Sequence, residues 1–180
     1  MQYTNIYQSP IGEILLVCDN KGLTGLWIKG AKYYADGLSD KYIEESTPIL
    51  ESAKKWLDIY FSGTKPEFIP PLHLIGSDFQ VSVWNILLKI PYGHTTTYSN
   101  IAKEIAKQNN LSGMSAQAVG GAVGHNKISI IIPCHRVVGK NGSLTGYAGG
   151  IDRKIKLLTI ENTNMANLFV PTKGTTLGKN

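Results

Sequence analysis

The sequence predicts an α+β chain organised as two small domains, and three observations carry that reading. Short β-like runs separated by turn residues fill the first third, a proline-rich extended stretch lies near residue 70, and capped helical segments dominate thereafter. At 180 residues the chain can bury a real core as one ordinary domain or two small ones. Its composition, 42% hydrophobic and 17% charged, is that of a globular protein, with no internal repeat or low-complexity segment. No apolar run approaches the roughly 20 residues needed to span a bilayer. The start, MQYTNIYQSPIGEI, lacks the basic and apolar segments of a secretory signal. The expectation is therefore a soluble cytoplasmic protein with no membrane partner.

The elements follow in order. Tyr3–Tyr7, Ile14–Cys18 and Leu23–Ile28 read as strands of an antiparallel meander, separated by Ser9-Pro10-Ile11-Gly12 and Asn20-Lys21-Gly22. Thr47 caps a helix with Pro48 at its first position, Ala53, Trp56, Leu57 and Tyr60 follow at helical spacing, and Gly63 ends it. Residues 64–76 contain three prolines and read as a linker, which sets the domains at 1–73 and 74–162 with a tail at 163–180. Ser77 and Gln80 suggest a capping box, with Phe79, Val83 and Leu87 as an apolar stripe ending before Pro91. Thr97 caps a helix from Tyr98 to Lys107, buried through Ile101, Ala102 and Ile105. Ser115 starts a short helix of small residues, AQAVGGAVG. Two short helices joined by a loop suggest a helix-turn-helix, although many such hairpins bind nothing. Ile128–Ile132 reads as a buried strand or extended segment, and Ile155 and Leu158 as the core face of a last helix. Leu168-Phe169-Val170 is a candidate docking segment in the tail.

Charge and thiols bound the function. Residues 1–73 hold seven lysines against nine carboxylates, whereas 74–180 hold nine lysines and two arginines against four. A basic C-terminal region fits a polyanionic partner or, equally, a solvated lysine-rich surface. Gly120, Gly121 and Gly124 each cost up to about 1 kcal/mol relative to alanine inside a helix. Close approach of another backbone explains such residues, either within the protein or from DNA. Cys18 and Cys134 are the two cysteines, and with four histidines they offer no metal-ligand spacing and no cofactor motif. Pro133 fixes the backbone before Cys134, and His135 and Arg136 bring positive charge that can lower a thiol pKa. A cysteine beside a histidine is weak evidence by itself, since a buried cysteine is more often a small hydrophobe.

Ile132-Pro133-Cys134-His135-Arg136-Val137, preceded by Gly120-Gly121-Ala122 and Asn126, resembles the active-site signature of the O6-alkylguanine–DNA alkyltransferases. The resemblance runs from about Phe79 to Glu161, with an echo in Ser9-Pro10-Ile11-Gly12. It implies a ribonuclease-H-like fold for residues 1–73 and a mainly helical, winged-helix-like fold for 74–162. It also implies single-turnover transfer of an alkyl group from O6-alkylguanine, and from O4-alkylthymine, to Cys134, by a monomer bound in the minor groove of double-stranded DNA. His135 would accept the thiol proton through water, with Glu161 orienting and charge-balancing it. Asn126 would pin the active-site turn, and Tyr98 would donate to guanine N3. Val137, Tyr147, Ala148 and Gly149 would surround the base, while Gln117, Ala118, Gly120, Gly121, Lys127 and Arg136 would contact DNA. Lys103, Lys107 and Lys140 are further phosphate candidates. The family commonly has arginine where this chain has Gln117, which puts the strength of DNA binding in doubt. A lesion binder without transferase activity, a cysteine hydrolase and a transcriptional regulator are the competing readings; Cys134 speaks against the first, and adjacency of Cys134 and His135 against the second.

Overall fold

The computed structural model describes residues 1–172, which form two compact units. One comprises residues 1–75 with 127–131, and the other comprises 76–126 and runs on from 132.

The first unit is a four-stranded sheet and one helix. Strands β1 (Gln2–Ser9), β2 (Gly12–Cys18), β3 (Leu23–Ile28) and β4 (Tyr42–Glu44) take the order β3-β2-β1-β4, with β1–β2–β3 antiparallel and β4 parallel to β1. The meander is as the sequence predicts, and β4 is an addition. All three β4 residues are exposed, so they carry no alternation to read. The turn between β2 and β3 is held by the Asp19 carboxylate, which accepts from the N–H groups of Lys21 and Gly22. Helix α1 (Pro48–Phe61) begins with the Thr47 hydroxyl accepting from the Leu50 N–H, and buries Leu50, Ala53, Trp56, Leu57 and Tyr60. Leu50 and Leu57 each contribute about 1.5–3 kcal/mol of burial.

Two stretches differ from their expected forms. The proline-rich segment is no free linker, because it runs along the outer edge of β3: the Leu23 N–H donates to the Pro71 carbonyl and the His73 N–H to the Leu23 carbonyl. A proline can serve an edge only through its carbonyl, and Pro71 does so. Further along the same edge, Leu26 donates to the Lys127 carbonyl and accepts from the Ser129 N–H. The expected strand at 128–132 therefore shrinks to one bridge at Ile128. The chain then turns at Ile130, whose φ of 72° lies in the left-handed region that β-branched residues avoid.

The second unit contains α2 (Asp78–Leu87), β5 (Thr96–Thr97), α3 (Tyr98–Gln108), α4 (Ala116–Gly124), β6 (Val137–Val138) and α5 (Ile151–Ile160), with β5 and β6 paired in parallel. The predicted caps are all present. Ser77 and Gln80 exchange both bonds of a capping box, Thr97 accepts from the Asn100 N–H, and Ser115 accepts from the Ala118 N–H. The buried Trp84 indole donates to the Ala122 carbonyl at 2.9 Å and so ties α2 to α4. Leu168 and Met165 pack on Val138, Leu144 and Leu158, and the Leu144 N–H donates to the Phe169 carbonyl. The tail thus docks through Leu168 and Phe169, and its last eight residues lie outside those described.

Candidate active site

Cys134 stands in a one-turn 3₁₀ segment, Cys134–Arg136, that leads directly into β6. Its position is fixed from both sides. The Cys134 N–H closes back on the Ile132 carbonyl at 2.8 Å, and the Arg136 N–H donates to the Pro133 carbonyl at 3.0 Å. The Asn126 amide donates to the Ile132 carbonyl at 2.8 Å and also reaches the Cys134 thiol. Asn126 sits just past the end of α4, so that helix sets the turn on which the cysteine is carried.

A single carboxylate organises the residues that follow. Glu161, at the C-cap of α5, is 2% exposed and receives four donors. His135 Nε2 lies 2.6 Å from Oε1, Arg136 Nε and Nη2 each lie 2.9 Å from the carboxylate, and the Gly93 N–H lies 3.2 Å from Oε2. Arg136 places its remaining nitrogen on the Ile90 carbonyl at 2.7 Å. Gly93 has φ of 78°, and a Cβ there would stand 3.1 Å from the Glu161 carbonyl oxygen. The left-handed backbone favours glycine there, and a side chain would be in tight contact with the helix end that this turn approaches.

Charge states follow from these contacts. Burial opposes ionisation of Glu161, but His135 and Arg136 overcome it and hold the carboxyl down to about 2. Burial lowers the His135 pKa, despite the pull of Glu161 the other way, so the ring is neutral at physiological pH. Because Glu161 is an anion, Nε2 must carry the proton, which makes Nδ1 the basic nitrogen. Burial pushes the Cys134 thiol up, while the Asn126 amide and then Lys154 pull it down. At rest the pair is a thiol and a neutral imidazole.

The other expected residues divide. The Tyr98 hydroxyl is buried and donates to the carbonyls of Thr145 and Gly146 at 3.2 and 3.3 Å. Tyr147 stands edge-on to the His135 ring, 6.5 Å between centroids, with its hydroxyl buried and unpartnered among the described residues. Its ring folds over Gly149, where a Cβ would meet it at 2.7 Å, and Ala148 between them is half-buried. The Val137 carbonyl accepts from the Lys154 ammonium at 2.5 Å. Lys154 went unnoticed in the sequence although it is 0% exposed, and it also donates to the Thr145 carbonyl at 2.9 Å.

The residues expected at DNA also separate. Gln117, Ala118 and Gly121 are exposed on α4, and nothing lies within 4 Å of a Cβ built at Gly121 or Gly124. Internal packing is therefore not what makes those two positions glycine. Gly120, by contrast, is buried with Val119, Ala122 and Val123 and faces inward. Arg136 is not at the surface either: it is 8% exposed and spent on Glu161 and Ile90, so the positive charge beside Cys134 in sequence is cancelled locally. Lys127 belongs to the sheet unit, with its ammonium over Gly37. Lys103, Lys107 and Lys140 are exposed. His73 bonds Asp19 at 2.6 Å, Cys18 is buried against Thr47, and no cluster able to hold a metal ion exists among the described residues.

Comparison with known proteins gives consistent matches along the chain. Residues 2–74 match the family model described as 6-O-methylguanine DNA methyltransferase, ribonuclease-like domain, and residues 78–163 match that of the DNA binding domain. The chain is 43% identical over 162 residues to the methylated-DNA–protein-cysteine methyltransferase of Methanosarcina acetivorans, covering 89% of this chain and 99% of that one. It is 46% identical over 160 residues to the inducible enzyme of that name from Bacillus subtilis, covering 89% and 84%. The crystal structure of Mycobacterium tuberculosis OGT in complex with DNA is similar with a TM-score of 0.75 at 40% identity, over 88% of this chain and 92% of that one.

Acid stability tests the Glu161 hub. A depressed carboxyl pKa stabilises the fold fully above the ordinary 4.5, and that contribution is lost as pH falls toward about 2. The lowered His135 pKa acts in the same direction, costing stability as pH drops below the ordinary 6.5. Glu161→Gln is expected to lower stability at pH 7 by roughly 3–5 kcal/mol, as for a broken buried ion pair. It should also flatten the loss below pH 4.5 in thermal melts; wild-type and variant curves that stay parallel would contradict the hub.

Proposed function

Because the chain belongs to the 6-O-methylguanine DNA methyltransferase family, we propose that it repairs O6-alkylguanine in DNA by transferring the alkyl group directly to Cys134. The observation that carries this reading is the buried 2.6 Å contact between His135 and Glu161, placed beside a cysteine held by Asn126.

In the reaction, His135 Nδ1 takes the thiol proton through a bridging water, and Glu161 balances the imidazolium that forms. The sulfur attacks the alkyl carbon, the carbon–oxygen bond breaks, and its electron pair passes to guanine O6. Tyr98 exchanges its two carbonyl partners for guanine N3 and stabilises the departing purine. The product on Cys134 is a thioether. It has no activated carbonyl for water to attack, so each molecule works once. O4-alkylthymine presents the same kind of carbon–oxygen bond and is a second substrate.

The target base is stacked in duplex DNA and must be rotated out to meet a cysteine that is 5% exposed. We assign α4 to the minor groove, with Gln117 at the space the base vacates and the open faces of Gly121 and Gly124 admitting the backbone. Lys103 and Lys107 flank the entrance to α4 and are the phosphate contacts we favour. Tyr147, Ala148 and Gly149 close on the base, and the unpartnered Tyr147 hydroxyl offers it a polar contact. The ribonuclease-H-like and winged-helix-like descriptions of the two units, a monomeric state and a cytoplasmic location complete the proposal. Among the described residues, no helix is long and apolar enough to cross a membrane.

Incubation with an O6-methylguanine oligonucleotide is expected to add one methyl group per protein, on Cys134, and none to Cys134→Ala. Repaired DNA in excess of protein, or a lesion bound without transfer, would overturn the proposal. DNA affinity should fall with salt by a log–log slope of about −0.9 per phosphate neutralised. Gln117→Arg is expected to tighten binding and steepen that slope while leaving transfer chemistry intact; unchanged affinity and repair rate would remove Gln117 from the interface.

A further inference from the structure

Beyond the last helix the chain folds back on itself. Asn162, at a φ of 54°, takes the left-handed conformation just past the end of α5. Its N–H donates to the Thr159 carbonyl and the Thr163 N–H to that of Leu158, the two bonds of a Schellman stop. The reversal lays Met165 and Leu168 on Val138, Leu144 and Leu158. Phe169 then joins the turn that follows β6. Its N–H donates to the Gly142 carbonyl at 3.1 Å and its carbonyl accepts from the Leu144 N–H at 2.8 Å, a parallel rung opposite Ser143. The approach is close, because a Cβ on Gly142 would run into the Asn167 carbonyl. This docked segment lies past residue 163, where the match to the family's DNA binding domain ends.

The stretch it clamps is the stem of the loop beside Cys134. Leu144 is held by its N–H and its side chain, and the next two residues, Thr145 and Gly146, carry the carbonyls that accept from the Tyr98 hydroxyl. Tyr147 follows, edge-on to His135. The far end of the loop is anchored separately, since the Gly150 N–H donates to the Tyr147 carbonyl and α5 begins at Ile151. The near end rises from a single 3₁₀ turn, Lys140–Gly142, in which Asn141 and Gly142 both have positive φ. Phe169 gives Gly142 and Leu144 the backbone partners of a strand. In the proposed reaction Tyr98 leaves both of its carbonyls, so the loop loses two bonds as the base enters. The bonds to Phe169 remain.

We propose that Leu168 and Phe169 are positioning residues for the target base: the docked C-terminal segment holds the stem of the Thr145–Gly149 loop in place beside Cys134 when Tyr98 releases it. This rests on the reading of Cys134 as the alkyl acceptor and of Tyr98 as donor to the purine. A loosened stem would move two rates in opposite directions. A small reagent would reach the cysteine, 5% exposed at rest, more easily, whereas the base would meet a loop no longer shaped to it.

The test compares wild type with full-length Leu168→Ala, Leu168→Met and Phe169→Pro. Phe169→Pro deletes the N–H that serves Gly142 and keeps the carbonyl that serves Leu144. One rate is iodoacetamide labelling of Cys134 without DNA, read by mass spectrometry. The other is single-turnover methyl transfer from an O6-methylguanine oligonucleotide at saturating protein. Leu168→Ala and Phe169→Pro are expected to label about threefold faster and to transfer about tenfold more slowly, with affinity for undamaged duplex unchanged. Leu168→Met, which keeps the volume, should recover most of both changes. A segment that only adds stability would lower the melting temperature and leave both rates of the folded variants at the wild-type value. A segment that restrains the loop would, when weakened, let both rates rise. Either result would overturn the proposal. Should Phe169→Pro not fold, Leu168→Ala makes the same comparison. Wild-type protein that labels at Cys134 but transfers no methyl would instead remove the underlying reading.

Discussion

A carboxylate sealed inside a protein must be matched donor for donor, and the helical unit is arranged around meeting that demand at Glu161. Removing such a charge from water costs several kcal/mol, and attraction repays it only when the geometry is good. Here the match comes from three directions: the planar fork of Arg136, the imidazole of His135, and a backbone N–H offered by the Pro91-Tyr92-Gly93 turn. Lysine at position 136 would supply a point charge without the fork and leave the Ile90 carbonyl unserved. The end of α5, the turn after Cys134 and the turn before β5 are thereby locked to one another.

This arrangement divides labour between charges that look interchangeable in the sequence. Arg136 neutralises Glu161 and in doing so withdraws from the sulfur. Glu161 in turn fixes the histidine tautomer and leaves it basic at Nδ1. The thiol, raised by burial, is protonated at rest, and in the proposed reaction that nitrogen is its base. A buried thiol that rests protonated is less open to wasteful alkylation and oxidation than a thiolate. Such protection matters for a protein whose sulfur is consumed in a single event.

Much of this was legible because it is local. Thr47, Ser77, Thr97 and Ser115 cap their helices through contacts three residues on, and the β1–β2–β3 meander is set by turns of a few residues. What depended on distant partners was misread. The segments around Pro71 and Ile128 look like a linker and a strand, yet each is one rung on the outer edge of β3. Arg136 reads as a DNA contact because its partner lies 25 residues away. Lys154 left a usable signal: it occupies the i, i+3, i+4 and i+7 stripe with Leu157, Leu158 and Glu161, a poor place for a lysine unless it is bonded. Of the α4 glycines, Gly120 answers to internal packing while Gly121 and Gly124 do not. The sequence treats them alike.

The protonation state of the histidine is where these interactions converge, and nitrogen chemical shifts of the His135 ring at neutral pH report it directly. With Glu161 ionised and the ring buried, Nε2 should appear as the protonated nitrogen and Nδ1 as the unprotonated one. Loss of the Glu161 carboxylate should abolish that preference. A ring protonated on both nitrogens at neutral pH, or carrying its proton on Nδ1, would leave Cys134 without a base and contradict the mechanism.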